Sequence, residues 1–258
     1  MGVLAAGGKT GRAVATALRK RGVAVRAIHR DQMANLAVAL RGCEATYLIA
    51  PNMHEDEPAL VEHALAASAA AGVPHVVYHS VAAPFAPGMA HHVAKATAED
   101  LVRRGPCTWT ILQPCVYTQN FIPALLSLPP VITVAYDPEQ TFAFVDLDDV
   151  ADAAAVVLLD PRHHGATYEL GGPALMSMQQ LAAAASQILA TEVRVARVGA
   201  DEWAARFGGD LQPRVRQWLL AMFAYYNANG LPAGSLALHG LRGRPPTTLD
   251  RVLRRELG

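Results

Sequence analysis

His91, His92 and Lys95 stand four and three residues apart in the run His91-His92-Val93-Ala94-Lys95, which follows Ser80 after a proline-rich stretch. Positions three and four apart share one face of a helix, so either imidazole can meet the lysine. A histidine so placed can donate a proton near neutral pH. A helix N-terminus and a nearby ammonium both disfavour imidazolium, so a neutral imidazole that polarises a carbonyl is the alternative. Lysine itself is scarce: of 22 basic residues only Lys9, Lys20 and Lys95 are lysines. Lys20, in Arg19-Lys20-Arg21, reads as a solvated helix end. The other two sit where a compact ammonium with rotatable donors can act on a ribose hydroxyl or a developing oxyanion, which a planar guanidinium does less well. Lys95, His91 and Ser80 are therefore the candidate catalytic set.

A second chemical signal lies at the start of the chain, in Leu4-Ala5-Ala6-Gly7-Gly8-Lys9-Thr10-Gly11-Arg12. It joins a short apolar run to a helical pattern marked by Val14 and Leu18. Glycines there let the backbone approach a pyrophosphate, and the following helix offers free N–H groups and its positive end. The spacing fits G-x-x-G-x-x-G from position 5 or G-x-G-x-x-G from position 6, and in both the first glycine is an alanine. About twenty residues on, His29-Arg30-Asp31 ends a strand-like run. A basic residue there suits a 2′-phosphate better than a ribose hydroxyl, so Arg30 points to NADP(H), with Asp31 expected to cap the next helix.

These groups need elements to bring them together. Val23–Ile28, Ala45–Ala50, His75–Ser80 and Thr108–Leu112 read as strands, and segments through Leu36 and Leu40, 58–72 and 91–104 as helices, with Gly72 closing the second. Alternating strands and helices imply a parallel sheet covered on both faces, with its ligand crevice at the carboxyl ends of the strands. Gly7–Arg12, Arg30, Ala50, Pro51, Ser80 and Pro114 then converge there. Thr141–Val145 is expected to return to that sheet and to feed a helix over 146–159. Helices over 177–189, 200–207 and 215–229 follow. The stripe Trp218, Met222, Tyr225 reads as core more readily than as pocket.

Composition narrows the classes. Charges balance at 22 against 22, so no field favours nucleic acid or an anionic membrane. No apolar run nears the ~20 residues of a membrane span. Cys43, Cys107 and Cys115 are odd in number and widely spaced, which suits neither a disulfide framework nor zinc, and no other spacing points to a metal. With the phosphate loop so early, no signal peptide is expected, and the reading is cytoplasmic.

The glycine loop, Val25–Arg30, Val77-Tyr78-His79-Ser80-Val81, His91–Lys95, Thr110-Ile111-Leu112-Gln113-Pro114, Tyr117-Thr118-Gln119-Asn120, Val145–Ala151, Ala166–Leu170 and Arg244–Leu249 together resemble the NmrA-like family of atypical short-chain dehydrogenase/reductases. The resemblance implies an α/β, Rossmann-like doubly wound parallel sheet with a smaller C-terminal cap on the substrate side. The division expected is an NAD(P)-binding region over 1–160 and a smaller α/β region over 161–258. It further implies NADP(H) held by Gly7, Gly8, Lys9, Thr10, Gly11, Arg12, Arg30, Ala50, Pro51, Ser80, Lys95 and Pro114. The Tyr-x-x-x-Lys pair of ordinary short-chain reductases is absent, because the residues four before the lysines are Ala5, Thr16 and His91. Two functions stay open: an NADPH-dependent oxidoreductase acting on a small carbonyl, enone or quinone, and an NADP(H)-sensing regulator without turnover. A biosynthetic enzyme that keeps the fold for non-redox chemistry is a third. The expected partner is a small-molecule substrate, with a homodimer or a regulatory protein partner left open.

Overall fold

In the computed structural model, which describes residues 1–258, a six-stranded parallel sheet organises the chain. Its first strand, β1 (Gly2–Val3), leads through the glycine loop into α1 (Lys9–Lys20) and then β2 (Arg26–Ala27). A 3-10 turn at Arg30–Asn35 and the short α2 (Leu36–Leu40) lead to β3 (Ala45–Leu48), and α3 (Glu57–Ala70) to β4 (His75–His79). Asp56 caps α3, its side chain accepting from the Ala59 amide, and Gly72 leaves that helix with a positive φ of 72°. The helix α4 (Ala90–Arg104) precedes β5 (Thr108–Pro114). The strand order is β2-β1-β3-β4-β5, completed by β8 (Ala166–Leu170).

Alternating side chains of the strands feed two cores, as the pleat requires. Val3, Tyr47, Val77, Leu112 and Leu170 pack with Val14 and Leu18 of α1 and with Val150, Ala154 and Val157 of α6 (Leu147–Leu159). On the other face, Leu4, Leu48, Val76, Tyr78 and Ile111 meet Leu40, Val61, Leu65 and Val102. Both faces are covered, which is why these strands read as nearly unbroken apolar runs.

The substrate side has a core of its own. After α5 (Ile122–Leu125), β6 (Val131–Val134) pairs in parallel with β10 (Arg194–Arg197), and β7 (Thr141–Phe142) pairs antiparallel with β9 (Met176–Ser177). Around them lie α7 (Met178–Leu189), α8 (Ala200–Phe207), α9 (Pro213–Asn229) and α11 (Leu249–Leu257), while α10 (Leu236–Arg242) packs on α6 and β8. Segments on both sides of position 160 thus contribute to both parts. The Arg244–Thr248 segment is tied back to α6, Asp149 accepting from the Thr247 amide and hydroxyl and pairing with Arg242. No helix is long and apolar enough to cross a membrane.

Three expectations need correction. Thr141–Val145 does not rejoin the large sheet: β7 pairs with β9, and Val145 makes a single bridge to Tyr117, so β8 takes the sixth place. The second strand shortens from 23–28 to two residues, because it is an edge with Ala24 and Arg26 exposed. Asp31 does not cap the next turn; His29 precedes it, and the His29 amide donates to Gln32 Oε1 at 2.9 Å. The helices α10 and α11 went unanticipated.

Candidate active site

A cavity of about 400 Å³ opens at the carboxyl ends of β1, β3, β4 and β5. Its floor is the glycine loop. Ala5 holds φ at +49°, the left-handed conformation that glycine adopts freely, at the position where the motif asks for glycine. Gly8 donates its amide to the Ala5 carbonyl at 2.9 Å, and a Cβ on Gly11 would lie 2.4 Å from that same oxygen. Gly11 therefore cannot carry a side chain without moving the loop. The helix α1 begins at Gly8 with no side-chain cap and no acid in its first turn, which leaves its N–H groups and positive end free for an anion.

Opposite the loop stands the start of α4. Lys95 Nζ donates to Glu57 Oε1 at 2.7 Å, and Tyr78 donates its hydroxyl to the same oxygen at 2.7 Å. Glu57 is fully enclosed and its Oε2 has no partner. Lys95 Nζ also reaches the His79 carbonyl at 3.5 Å, so one carboxylate and one carbonyl hold it and a third N–H remains. Ser80 donates to Glu99 Oε1 at 2.6 Å, and Gln113 and Arg103 complete the shell of that buried carboxylate. With its proton committed, Ser80 can offer the cavity only an acceptor.

The two histidines are neutral. Burial, then Lys95, pulls the His91 pKa down to about 3; burial pulls His92 down to about 4, against two backbone carbonyls that raise it. His92 Nδ1 donates to the Ala83 carbonyl at 3.3 Å, so its Nε2 is a lone-pair acceptor, and that atom is buried without a partner. His91 Nδ1 is likewise buried and unpartnered, and the His91 ring lies 5.7 Å from that of Trp218. Unpaired polar atoms are costly inside a protein. Two of them belong to side chains that line one cavity.

Sequence reasoning missed a third histidine. His79, its pKa lowered to about 3 by burial and then Lys95, lies between two tyrosines: Tyr47 OH is 2.5 Å from Nδ1 and Tyr117 OH is 3.3 Å from Nε2. Burial raises both phenols, and Tyr47 has no other partner. Tyr47 therefore donates to Nδ1, and the Nε2 proton is directed at the Tyr117 oxygen. Lys9 Nζ, 5.9 Å above the Tyr117 ring, donates to Asn120 Oδ1 at 2.7 Å. Tyr117 thus belongs to the glycine-loop end. Met222, Tyr226 and Leu231 wall the other end, so part of the α9 stripe faces the pocket.

Of the sequence candidates, Gly8, Lys9, Thr10, Gly11, Ala50, Pro51, Ser80, His91, Lys95 and Pro114 line this cavity. Gly7, Arg12 and Arg30 do not: Gly7 backs onto the His29 ring, and Arg12 and Arg30 are exposed. Tyr117 sits three residues past Pro114, and its place in a motif already noted was the only sequence signal for it.

The sequence profile of the NmrA-like family matches residues 12–235. A (4-alkanoyl-5-oxo-2,5-dihydrofuran-3-yl)methyl phosphate reductase of Streptomyces griseus is 27% identical over 168 residues, 63% of this chain and 58% of that protein. The match therefore spans little more than half of that relative. Quinone oxidoreductase 2 of Escherichia coli K12 is 29% identical over 241 residues, 92% of this chain and 84% of its own length. The crystal structure of an NADPH-dependent quinone oxidoreductase from Escherichia coli, complexed with NADPH, superimposes with a TM-score of 0.84 at 24% identity, covering 100% of this chain and 99% of that one. The two share a fold.

Proposed function

This chain belongs to the NmrA-like family, and from that premise we propose that it is an NADPH-dependent oxidoreductase of a small carbonyl, enone or quinone. The observation that carries the proposal is one cavity with an uncapped, glycine-lined helix N-terminus at one end and Lys95 with two orphaned imidazole nitrogens at the other. The curated relatives, a furanone phosphate reductase and a quinone oxidoreductase, support the same reading.

The residues present fit a pyridine nucleotide. The closeness of Gly11 to Ala5 makes the cradle that a pyrophosphate needs, and the free amides of α1 with Lys9 and Thr10 would hold its charge. When bound, the reduced nicotinamide supplies the hydride. Ala50, Pro51 and Pro114 form the walls, and Ser80 accepts a hydrogen bond from whatever lies against it.

Protonation falls to Lys95. Glu57 and the His79 carbonyl fix its ammonium and leave one N–H to meet the oxygen on which negative charge develops, and from Nζ a proton can pass to that oxygen. His91 cannot store the proton, since a pKa of about 3 leaves it neutral at pH 7; it serves as a hydrogen-bonding partner. With the Lys95 charge answered by Glu57 and the histidines neutral, the substrate end favours an uncharged acceptor over an anionic one. The buried free cysteines suit a reducing cytoplasm.

Steady-state NADPH oxidation against a panel of quinones, enones and ketones tests the proposal. Turnover with a member of the panel supports it. Tight NADPH binding with no oxidation across the panel would replace it with a nucleotide-sensing role.

A further inference from the structure

A dinucleotide fold places two strands on the adenosine side of its first strand, in the order 3-2-1-4-5-6. This chain has one. Its β2 is the edge of the sheet and two residues long, and residues 28–44 lead from it over β1 directly to β3. A parallel crossover takes a dozen residues or more, so that segment has room for one connection and no further strand. It is filled by the 3-10 turn, none of whose residues is buried, and the five-residue α2.

The cavity respects the same boundary. None of its lining residues lies between Arg12 and Leu48. At the end of β2, His29, Arg30 and Asp31 are all exposed, and the His29 Nδ1 lies 3.6 Å from where a Cβ on Gly7 would stand. That ring flanks the glycine loop on the side where an adenosine ribose would extend. At the other end the groups are enclosed: Lys95, His91 and His92 are 8%, 5% and 1% exposed. An exposed Arg30 beside a 2′-phosphate acts through solvent and salt, which weakens it.

On the dinucleotide reading above, we infer that recognition is concentrated in the nicotinamide and its adjoining phosphate, and that the site accepts a nicotinamide mononucleotide as a ligand in its own right. The helix α1 and the glycine cradle take its single phosphate, and Lys95, His91 and His92 enclose the nicotinamide riboside. The adenosine half of a dinucleotide lies over an open edge and adds little.

Calorimetric titration of the full chain with NADPH, reduced nicotinamide mononucleotide and adenosine 2′,5′-bisphosphate tests this directly. The mononucleotide should bind within about tenfold of NADPH and the bisphosphate at least about a hundredfold more weakly than NADPH. Arg30→Ala should leave mononucleotide binding unchanged and shift NADPH by less than about tenfold. If NADPH and the bisphosphate bind alike while the mononucleotide gives no heat, the inference is overturned and the dinucleotide reading stands. If NADPH gives no heat either, both fall.

Discussion

Replacing either member of the Lys95–Glu57 pair separates what that pair does for the fold from what Lys95 does for the reaction. Both partners are buried, with side-chain exposures of 10% and 0%, and the nitrogen–oxygen distance is 2.7 Å. Lys95→Met leaves the Glu57 carboxylate enclosed with only the Tyr78 hydroxyl for company; Glu57→Gln leaves an enclosed ammonium without its counter-ion. Breaking a buried pair from one side costs about 3–5 kcal/mol, whereas replacing both partners with neutral groups of similar volume is often close to neutral. At roughly 2–4 °C per kcal/mol for a chain of this size, each single variant should melt roughly 10 °C below the parent. The double variant Lys95→Met/Glu57→Gln should return to within about 1 kcal/mol of the parent. Its NADPH-dependent rate should stay down by about two orders of magnitude, since the charge on the reacting oxygen is unanswered. Urea and thermal melts with steady-state rates on all four proteins make the test. Single variants as stable as the parent, losses that add in the double, or a double that regains activity would each refute the reasoning.

Gly11→Ala should cost about 1–3 kcal/mol and weaken NADPH binding at least tenfold, measured by melting and calorimetry, because its Cβ would lie 2.4 Å from the Ala5 oxygen. Acid should destabilise the fold. His75 and His92, at about 4, and His79 and His91, at about 3, stay neutral in the fold where an unfolded histidine takes a proton near pH 6.5. The unfolded chain then binds more protons between pH 6.5 and about 4. Stability falls as pH drops through that window, by up to about 1.4 kcal/mol per histidine per pH unit, and urea midpoints at pH 7 and 5 read it out. Tyr117→Phe should lower the maximal rate by less than about tenfold, because Tyr117 belongs to the glycine-loop end; a loss of ~10²-fold or more would move the proton donor from Lys95 to Tyr117.

The sheet and its helices were legible because both kinds of period are strong here: apolar runs in strands buried on two faces, and Val14/Leu18 or Val61/Leu65 on helices. The glycine loop was legible because glycine spacing encodes backbone geometry directly, and the left-handed Ala5 shows that the pattern held even where its residue did not. Between the second and third strands the pattern offered a helix and no further strand, as the structure has it. That this leaves β2 as the edge of the sheet was not legible, because strand order depends on the pairing of β2, β1 and β3. The partners that define the site were hidden for another reason. Glu57 reaches Lys95 from 38 residues away and Tyr47 reaches His79 from 32, and single-sequence periodicity carries no record of such pairs. Ser80 and His91 line the cavity, yet their protonation follows from Glu99 and from burial, which spacing does not reveal.

On the proposed function, the cavity passes a hydride from reduced nicotinamide to an uncharged acceptor held at Lys95. A single-turnover mixing experiment addresses it most directly: the protein preloaded with one equivalent of NADPH is mixed with excess quinone, and the nicotinamide absorbance is followed. That absorbance should be lost completely in one phase, yielding one hydroquinone per site, with the phase slowed about a hundredfold in Lys95→Met. Absorbance that stays flat while NADPH remains bound, with an enone and a ketone as well as with the quinone, would contradict it.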